Sequence, residues 1–289
     1  MPTTIKTFIS CLLLSALTLT ASAVSEVTQE NFEEQYKRFL TLYSDEGSDA
    51  EAFFKQSELL KQYYRKTQNL GGYYSVFTTE VLYDTQHGMP YKAIQRTNEM
   101  LEEMNAENYE GYHLVHMALG TIFQDRGNTS MAQQYFQQAV DETTENPRDH
   151  MVAHSRMAFL LMTTDPNKAD YWNEKNREIS LQYPSYHQAY LFISACIKFT
   201  VSDKTGFYSN YDEYQNYRSK HEELDNFGTK TMEIMKKAFD GETEEALREL
   251  TKPNSDINDI MRHDMRITIF RMGNDLKSAV DEMICHRKL

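Results

Sequence analysis

The sequence predicts an all-α fold in which about seven antiparallel helix pairs stack one after another. Three observations carry that expectation. Eleven Gly and six Pro are few for 289 residues, and most of the prolines fall at segment junctions, as in a chain filled by helices. No stretch alternates apolar and polar residues long enough to make a strand. Small residues recur at a near-constant interval, which is the mark of a repeat architecture.

Residues 1–23 read as a secretory signal. Lys6 lies in a short polar start, an apolar stretch runs from Phe8 to about Leu19, and Ala21-Ser22-Ala23 offers a small-residue cleavage site. The mature chain then begins near Val24. An uncleaved anchor is the alternative, since no charge appears between Lys6 and Glu26, although Ser and Thr dilute the run. Cys11 precedes most of the apolar run, so it is not placed as a lipid-modified cysteine. The rest, 24–289, is expected to be one domain, exported to the periplasm or the outer face of the inner membrane.

The chain is acidic, with net charge −13, and its Lys and Arg are scattered among carboxylates. That balance excludes a nucleic-acid partner, which needs a basic face. Cys196 and Cys285 sit in apolar contexts and read as small buried hydrophobes rather than a disulfide pair.

The repeat is clearest from His113 to Asn146, which carries Leu119-Gly120, Phe123, Gly127, Ala132, Phe136 and Ala139. Small residues at Gly120, Ala132 and Ala139 let two helices approach closely, and Phe123 and Phe136 fill the space to the next pair. Gly127 followed by Asn128 ends one helix and caps the next. Alanines matching Ala132 occur at Ala93, Ala169, Ala246 and Ala279, with Gly88 and Gly241 five residues before two of them. The gap between Ala169 and Ala246 is twice the others, so a degenerate pair is expected between Pro184 and Leu224. Pro147 and Pro184 follow their marker alanines at the same offset and open the next pair.

The helices expected in order are Gln29 to Tyr43, Ala50 to Asn69, Tyr74 to Gln86, Tyr91 to Met104, Tyr112 to Arg126, Met131 to Thr144 and His150 to Met162. Then follow Lys168 to Gln182, Tyr186 to Val201, Tyr208 to Leu224, Thr229 to Phe239, Glu242 to Leu250, Ile257 to Arg271 and Asn274 to His286. Gly71-Gly72 and Asp225 to Gly228 are the expected flexible joints.

Two clusters could carry chemistry. Tyr208, Tyr211, Tyr214 and Tyr217 recur every third residue as a slanting aromatic ridge, suited to a sugar or peptide or to inter-helix packing. His150 and His154, and His113 and His116, lie on common helix faces, but no carboxylate or Cys completes a zinc pattern. No phosphate loop, nucleophile elbow or paired-carboxylate cleft appears, so no catalytic residue, metal or cofactor is expected.

The stretch from His113 to Asn146 resembles the tetratricopeptide (TPR) repeat in its helix A, turn and helix B positions. The resemblance implies a TPR-like right-handed superhelical solenoid whose A helices line a concave groove. Projected onto this chain, the groove positions are Leu114, Met117, Thr121, Gln124 and Asp125, then Met151, His154, Ala158 and Leu161, then Gln188, Leu191, Ala195 and Lys198. This wall departs from the basic, Asn-rich clamp with which some TPR modules hold a terminal carboxylate. An extended peptide or a partner's helix suits it better, and Tyr208 and Tyr211 offer a place for a glycan or small molecule.

More specifically, Leu82-Tyr83-Asp84, Tyr112 to Gly127 and His263 to Leu289 resemble the extracytoplasmic TPR region of bacterial two-component sensor histidine kinases. The resemblance implies a non-catalytic sensory input module, joined to the membrane only through a segment beyond Leu289. The last pair has no solvating helix after it, which fits an outer part of something longer. A stand-alone exported scaffold for protein partners is the alternative.

Overall fold

The computed structural model describes residues 26–44, 49–222, 224, 226–252 and 259–286. The signal read in 1–23, with Cys11, lies outside them, as do the last three residues. Among the described residues the protein is all-helical, with fifteen helices and no strand. They are α1 (Phe32–Ser44), α2 (Ala50–Lys66), α3 (Leu70–Gln86), α4 (Pro90–Glu107), α5 (Tyr112–Asp125), α6 (Thr129–Glu142), α7 (Pro147–Leu161) and α8 (Pro166–Glu174). The others are α9 (Arg177–Ser180), α10 (Pro184–Thr200), α11 (Lys204–Lys220), α12 (Thr229–Phe239), α13 (Thr243–Leu250), α14 (Asp259–Met272) and α15 (Leu276–His286).

The helix starts are written in the sequence. Pro90, Pro147, Pro166 and Pro184 occupy first-turn positions, where the missing N–H costs nothing. Asn69, Asn128, Asn146, Asp165 and Asp203 cap their helices by accepting a first-turn backbone N–H.

Five turns within pairs share one construction, which the turn between α7 and α8 lacks. Gly88, Gly127, Ser202, Gly241 and Asn274 each take a positive φ just after a helix. The N–H of the following residue then bonds to a carbonyl five residues back, as in Met89 to Asp84 and Asn128 to Phe123, both 2.8 Å. Five residues after each of these turns stands a fully or nearly buried side chain of the second helix: Ala93, Ala132, Phe207, Ala246 and Ala279. The degenerate pair is therefore present, with Phe207 where the other copies have alanine.

Apart from α8 and α9, each helix packs on the next one, and α3, α7, α10 and α12 also touch the first helix of the following pair, so the helices form a repeat-like row of neighbouring pairs. Close approach explains the small residues: a Cβ on Gly120 would run into the ring of Phe136 on α6. One apolar core runs from α5 to α14. Near α1 it gives way to an aromatic one, in which Phe53 stacks between Phe39 and Tyr83 at 5.3 and 4.1 Å.

Three details differ from the sequence reading. Gly71 and Gly72 lie in the first turn of α3 and form no joint; Gly72 donates its N–H to Asn69 Oδ1 at 2.9 Å, and a side chain there would collide with Tyr64. The single helix expected over Lys168 to Gln182 breaks between α8 and α9. At the break Asn173 Nδ2 donates to the Tyr190 carbonyl and Asn176 Nδ2 to the Met151 carbonyl, so buried amides tie this segment to α10 and α7. At the second expected joint, of which Asp225 lies outside the described residues, Phe227 packs on Phe192 with ring centroids 5.0 Å apart. Cys196 is buried and Cys285 exposed, both as free thiols. No described helix is long and apolar enough to cross a membrane.

Candidate functional site

The projected groove positions divide by burial. Met117, Met151, His154, Ala158, Leu161, Gln188, Leu191 and Ala195 are buried between helices. Gln188 Nε2 reaches the Tyr214 hydroxyl and the Phe227 carbonyl, each at 3.3 Å. Thr121 is half-buried and donates to the Met117 carbonyl at 2.9 Å. Gln124 is half-buried and Asp125 exposed at the end of α5, while Lys198 on α10 pairs with Asp170 at 3.4 Å. Thus Thr121, Gln124, Asp125 and Lys198 retain access to solvent, and the buried set serves packing in this conformation.

The tyrosine ridge forms a seam between α11 and its neighbours. Tyr214 is fully buried and its hydroxyl donates to the Phe227 carbonyl. Tyr208 donates to Asp240, and Tyr211 to Glu233 at 2.6 Å. Burial, reinforced by that carboxylate, pushes the Tyr211 phenol up to about 12. Tyr217 stacks on His221 and meets His187 edge-on, at 4.3 and 4.7 Å.

The histidines are also committed. His113 faces Asp149 at 3.3 Å and His116 faces Glu142 at 2.8 Å, so that pair points to carboxylates on other helices. His150 and His154 contact each other with ring centroids 4.1 Å apart, and His154 Nδ1 meets Asn176 Oδ1 at 3.0 Å. Burial, then the neighbouring His150, lowers the His154 pKa to about 4. Among the described residues no group of three or more His, Cys, Asp or Glu is arranged to hold a metal.

Two hydroxyl–imidazole pairs recur 37 residues apart: Thr143 with His150 at 3.1 Å, and Ser180 with His187 at 2.9 Å. A serine beside an imidazole can be a nucleophile. Here each hydroxyl also lies on a helical carbonyl, Ala139 at 2.7 Å and Arg177 at 2.9 Å, so its proton is already engaged and it accepts from the ring. The pairs fasten the end of one helix pair to the start of the next.

A different arrangement lies between α2, α3 and α4. Glu80 and Asp84, buried, meet Lys61 and Arg96: Lys61 Nζ to Glu80 at 3.0 Å and Arg96 Nε to Asp84 at 2.8 Å. Arg96 also covers the ring of Phe54 at 4.6 Å. The carboxylates are matched by cations, and the group acts as an ionic joint.

Sequence reasoning did not connect α1 with the middle of the chain. Tyr36 lies close enough to Arg148 and Tyr186 to be influenced by both, and Tyr43 close enough to Arg156. Burial raises both phenols, opposed by the arginines. These influences couple α1 to α7 and the start of α10, helices that are not its neighbours in the row. Arg148 Nε donates to the Tyr186 hydroxyl at 2.9 Å and Gln86 Nε2 to that of Tyr43 at 2.7 Å. The spacing of Phe32, Tyr36, Phe39 and Tyr43, which marks one helix face, was the available signal. Compared with known proteins, the chain matches no family model, no curated protein and no solved structure.

Proposed function

We propose that the chain is a TPR-like right-handed superhelical solenoid that binds a protein or peptide without catalysis, as the extracytoplasmic sensory input region of a two-component signalling kinase. The observation that most supports this reading is the left-handed turn repeated in five helix pairs, followed five residues later by a buried alanine or, once, by Phe207, as stacked repeats would have it. The solvent-accessible groove positions Thr121, Gln124, Asp125 and Lys198, and the ends of Tyr208 and Tyr211, are where the partner, or a glycan or small molecule, would touch. Ligand binding would shift the curvature of the row and pass the change through α15. No catalytic residue or cofactor is assigned, and no nucleic-acid partner. The exported location and the signal at 1–23 belong to the same proposal.

The test is the reading frame beyond Leu289, followed by co-purification of the mature protein from the cell envelope. A membrane segment and kinase downstream are expected. An immediate stop codon with no adjacent kinase gene would overturn the sensor reading; a stable envelope partner in that case would favour the exported scaffold.

A further inference from the structure

Helix α15 carries an exposed apolar stripe. Leu276, Val280, Met283 and Ile284 fall at helical spacing on one face, and each is between 45% and 62% exposed. The other large exposed apolar side chains, such as Tyr91 and Tyr171, are scattered over the chain, at most two to a helix. The inner side of α15 is occupied: Ala279 is buried, and Glu282 pairs with His263 and, at 3.0 Å, with Arg266 of α14.

The stripe is peculiar to this pair. Leu276, Val280 and Ile284 stand three before, one after and five after Ala279, the buried residue that follows the left-handed turn. The same positions hold Pro90, Ile94 and Asn98 in the first copy of that turn and Thr129, Gln133 and Gln137 in the next. They hold Lys204, Tyr208 and Asp212, then Thr243, Leu247 and Thr251, in the two after that. None of these four copies has more than one large hydrophobic side chain there, whereas α15 has three. The stripe is therefore not the ordinary outer surface of a second helix.

Its edge selects the occupant. Lys277 and Asp281, one turn apart, are both exposed, and neither forms an ion pair with a described residue. When two copies of α15 lie antiparallel about a twofold axis at Val280, the same edge of each helix faces the other. Leu276 then meets Ile284 of the second copy, and Val280 meets its own counterpart. Lys277 comes within roughly 3 Å, measured along the axis, of Asp281 on the second copy, and the pair forms twice. A parallel pairing sets this edge against the opposite one and loses both ion pairs.

We propose that α15 is a dimerisation helix, packing antiparallel on α15 of a second copy of this chain through Leu276, Val280, Met283 and Ile284. Its 11 residues span about 16 Å, which gives a contact smaller than the standard interface of about 800 Å² per partner. The dimer is accordingly weak and forms in the micromolar range. It needs neither the groove nor a kinase.

The test is sedimentation velocity of the mature chain at pH 7 over a concentration series, which should show a shift from monomer to dimer. Val280→Glu should hold the chain monomeric at an unchanged melting temperature. Lys277→Asp and Asp281→Lys should each weaken self-association by about tenfold, since both ion pairs become like-charge contacts. An equimolar mixture of these two variants should associate at least as tightly as the unaltered chain, because each supplies what the other lacks. A monomer at every concentration, a dimer indifferent to Val280→Glu, or a mixture no tighter than its components overturns the proposal. An envelope protein that co-purifies with the chain and is lost with Val280→Glu, while the purified chain stays monomeric, would assign the stripe to that partner and reject self-pairing.

Discussion

The joint between α2, α3 and α4 and the joint between α7, α8–α9 and α10 solve the same packing problem with opposite chemistry. The first places Glu80 and Asp84 against Lys61 and Arg96, a buried set of charges. The second uses neutral groups: the amides of Asn173 and Asn176, the imidazoles of His154 and His187, and the Ser180 hydroxyl. A buried ionic joint depends on every partner being present, because removing one strands the others. A neutral joint tolerates burial well but depends on its imidazoles staying uncharged. The two joints should therefore fail under different insults.

The largest effect is expected at the ionic joint. Arg96→Met leaves Asp84 without its cation and Glu80 with one fewer, and should lower stability by about 3–5 kcal/mol in urea unfolding. A loss below about 1 kcal/mol would show that the ion pairs contribute little there.

Acid should act on the neutral joint. The His154 pKa is about 4 in the folded chain against an ordinary 6.5, so the unfolded chain binds the proton more readily. Its contribution is complete above pH 6.5 and is lost as the pH falls toward 4, by up to about 3 kcal/mol. His187 shifts in the same direction, chiefly through burial. Urea midpoints measured across this range should fall, and His154→Gln should flatten the slope; a slope unchanged by that substitution would remove His154 from the account of acid sensitivity.

Between the two joints the row is held by close packing. Ala132 is fully buried where α6 meets its neighbours, and Ala132→Leu should cost about 1–3 kcal/mol through overpacking. At the equivalent place in the degenerate pair Phe207 is already accommodated, so the penalty reports the local fit of each pair. An unchanged melting curve for Ala132→Leu would mean that position is not the register marker. The smallest effect is expected at Arg156, which touches neither joint: Arg156→Gln should change stability by less than about 0.5 kcal/mol.

Much of the fold was legible because helix boundaries rest on local chemistry. The prolines at 147 and 184, the Asn and Asp caps and the glycines at 88, 127 and 241 act within a few residues, and the helices start and stop close to where these signals place them. Ser202 and Asn274 take the same left-handed turn without glycine, which is why the fifth pair was visible mainly by its spacing. The break at α8–α9 was not legible, since it depends on amides reaching Met151 and Tyr190 on other helices. The site was harder still. Periodicity places His154 and Gln188 on a helix face but does not say whether the next pair covers it, and both are covered. Tyr36 and Tyr43 are influenced by residues more than 100 positions away, a relation that no local pattern encodes.

Hydrogen–deuterium exchange at pH 7 and pH 5, corrected for the pH dependence of intrinsic exchange, tests the contrast between the joints most directly. Peptides covering 147–200 should lose protection at pH 5 while those covering 54–96 keep theirs. Loss first in 54–96, or equal loss in both, would contradict the assignment of an ionic joint to one end and an imidazole-dependent joint to the middle.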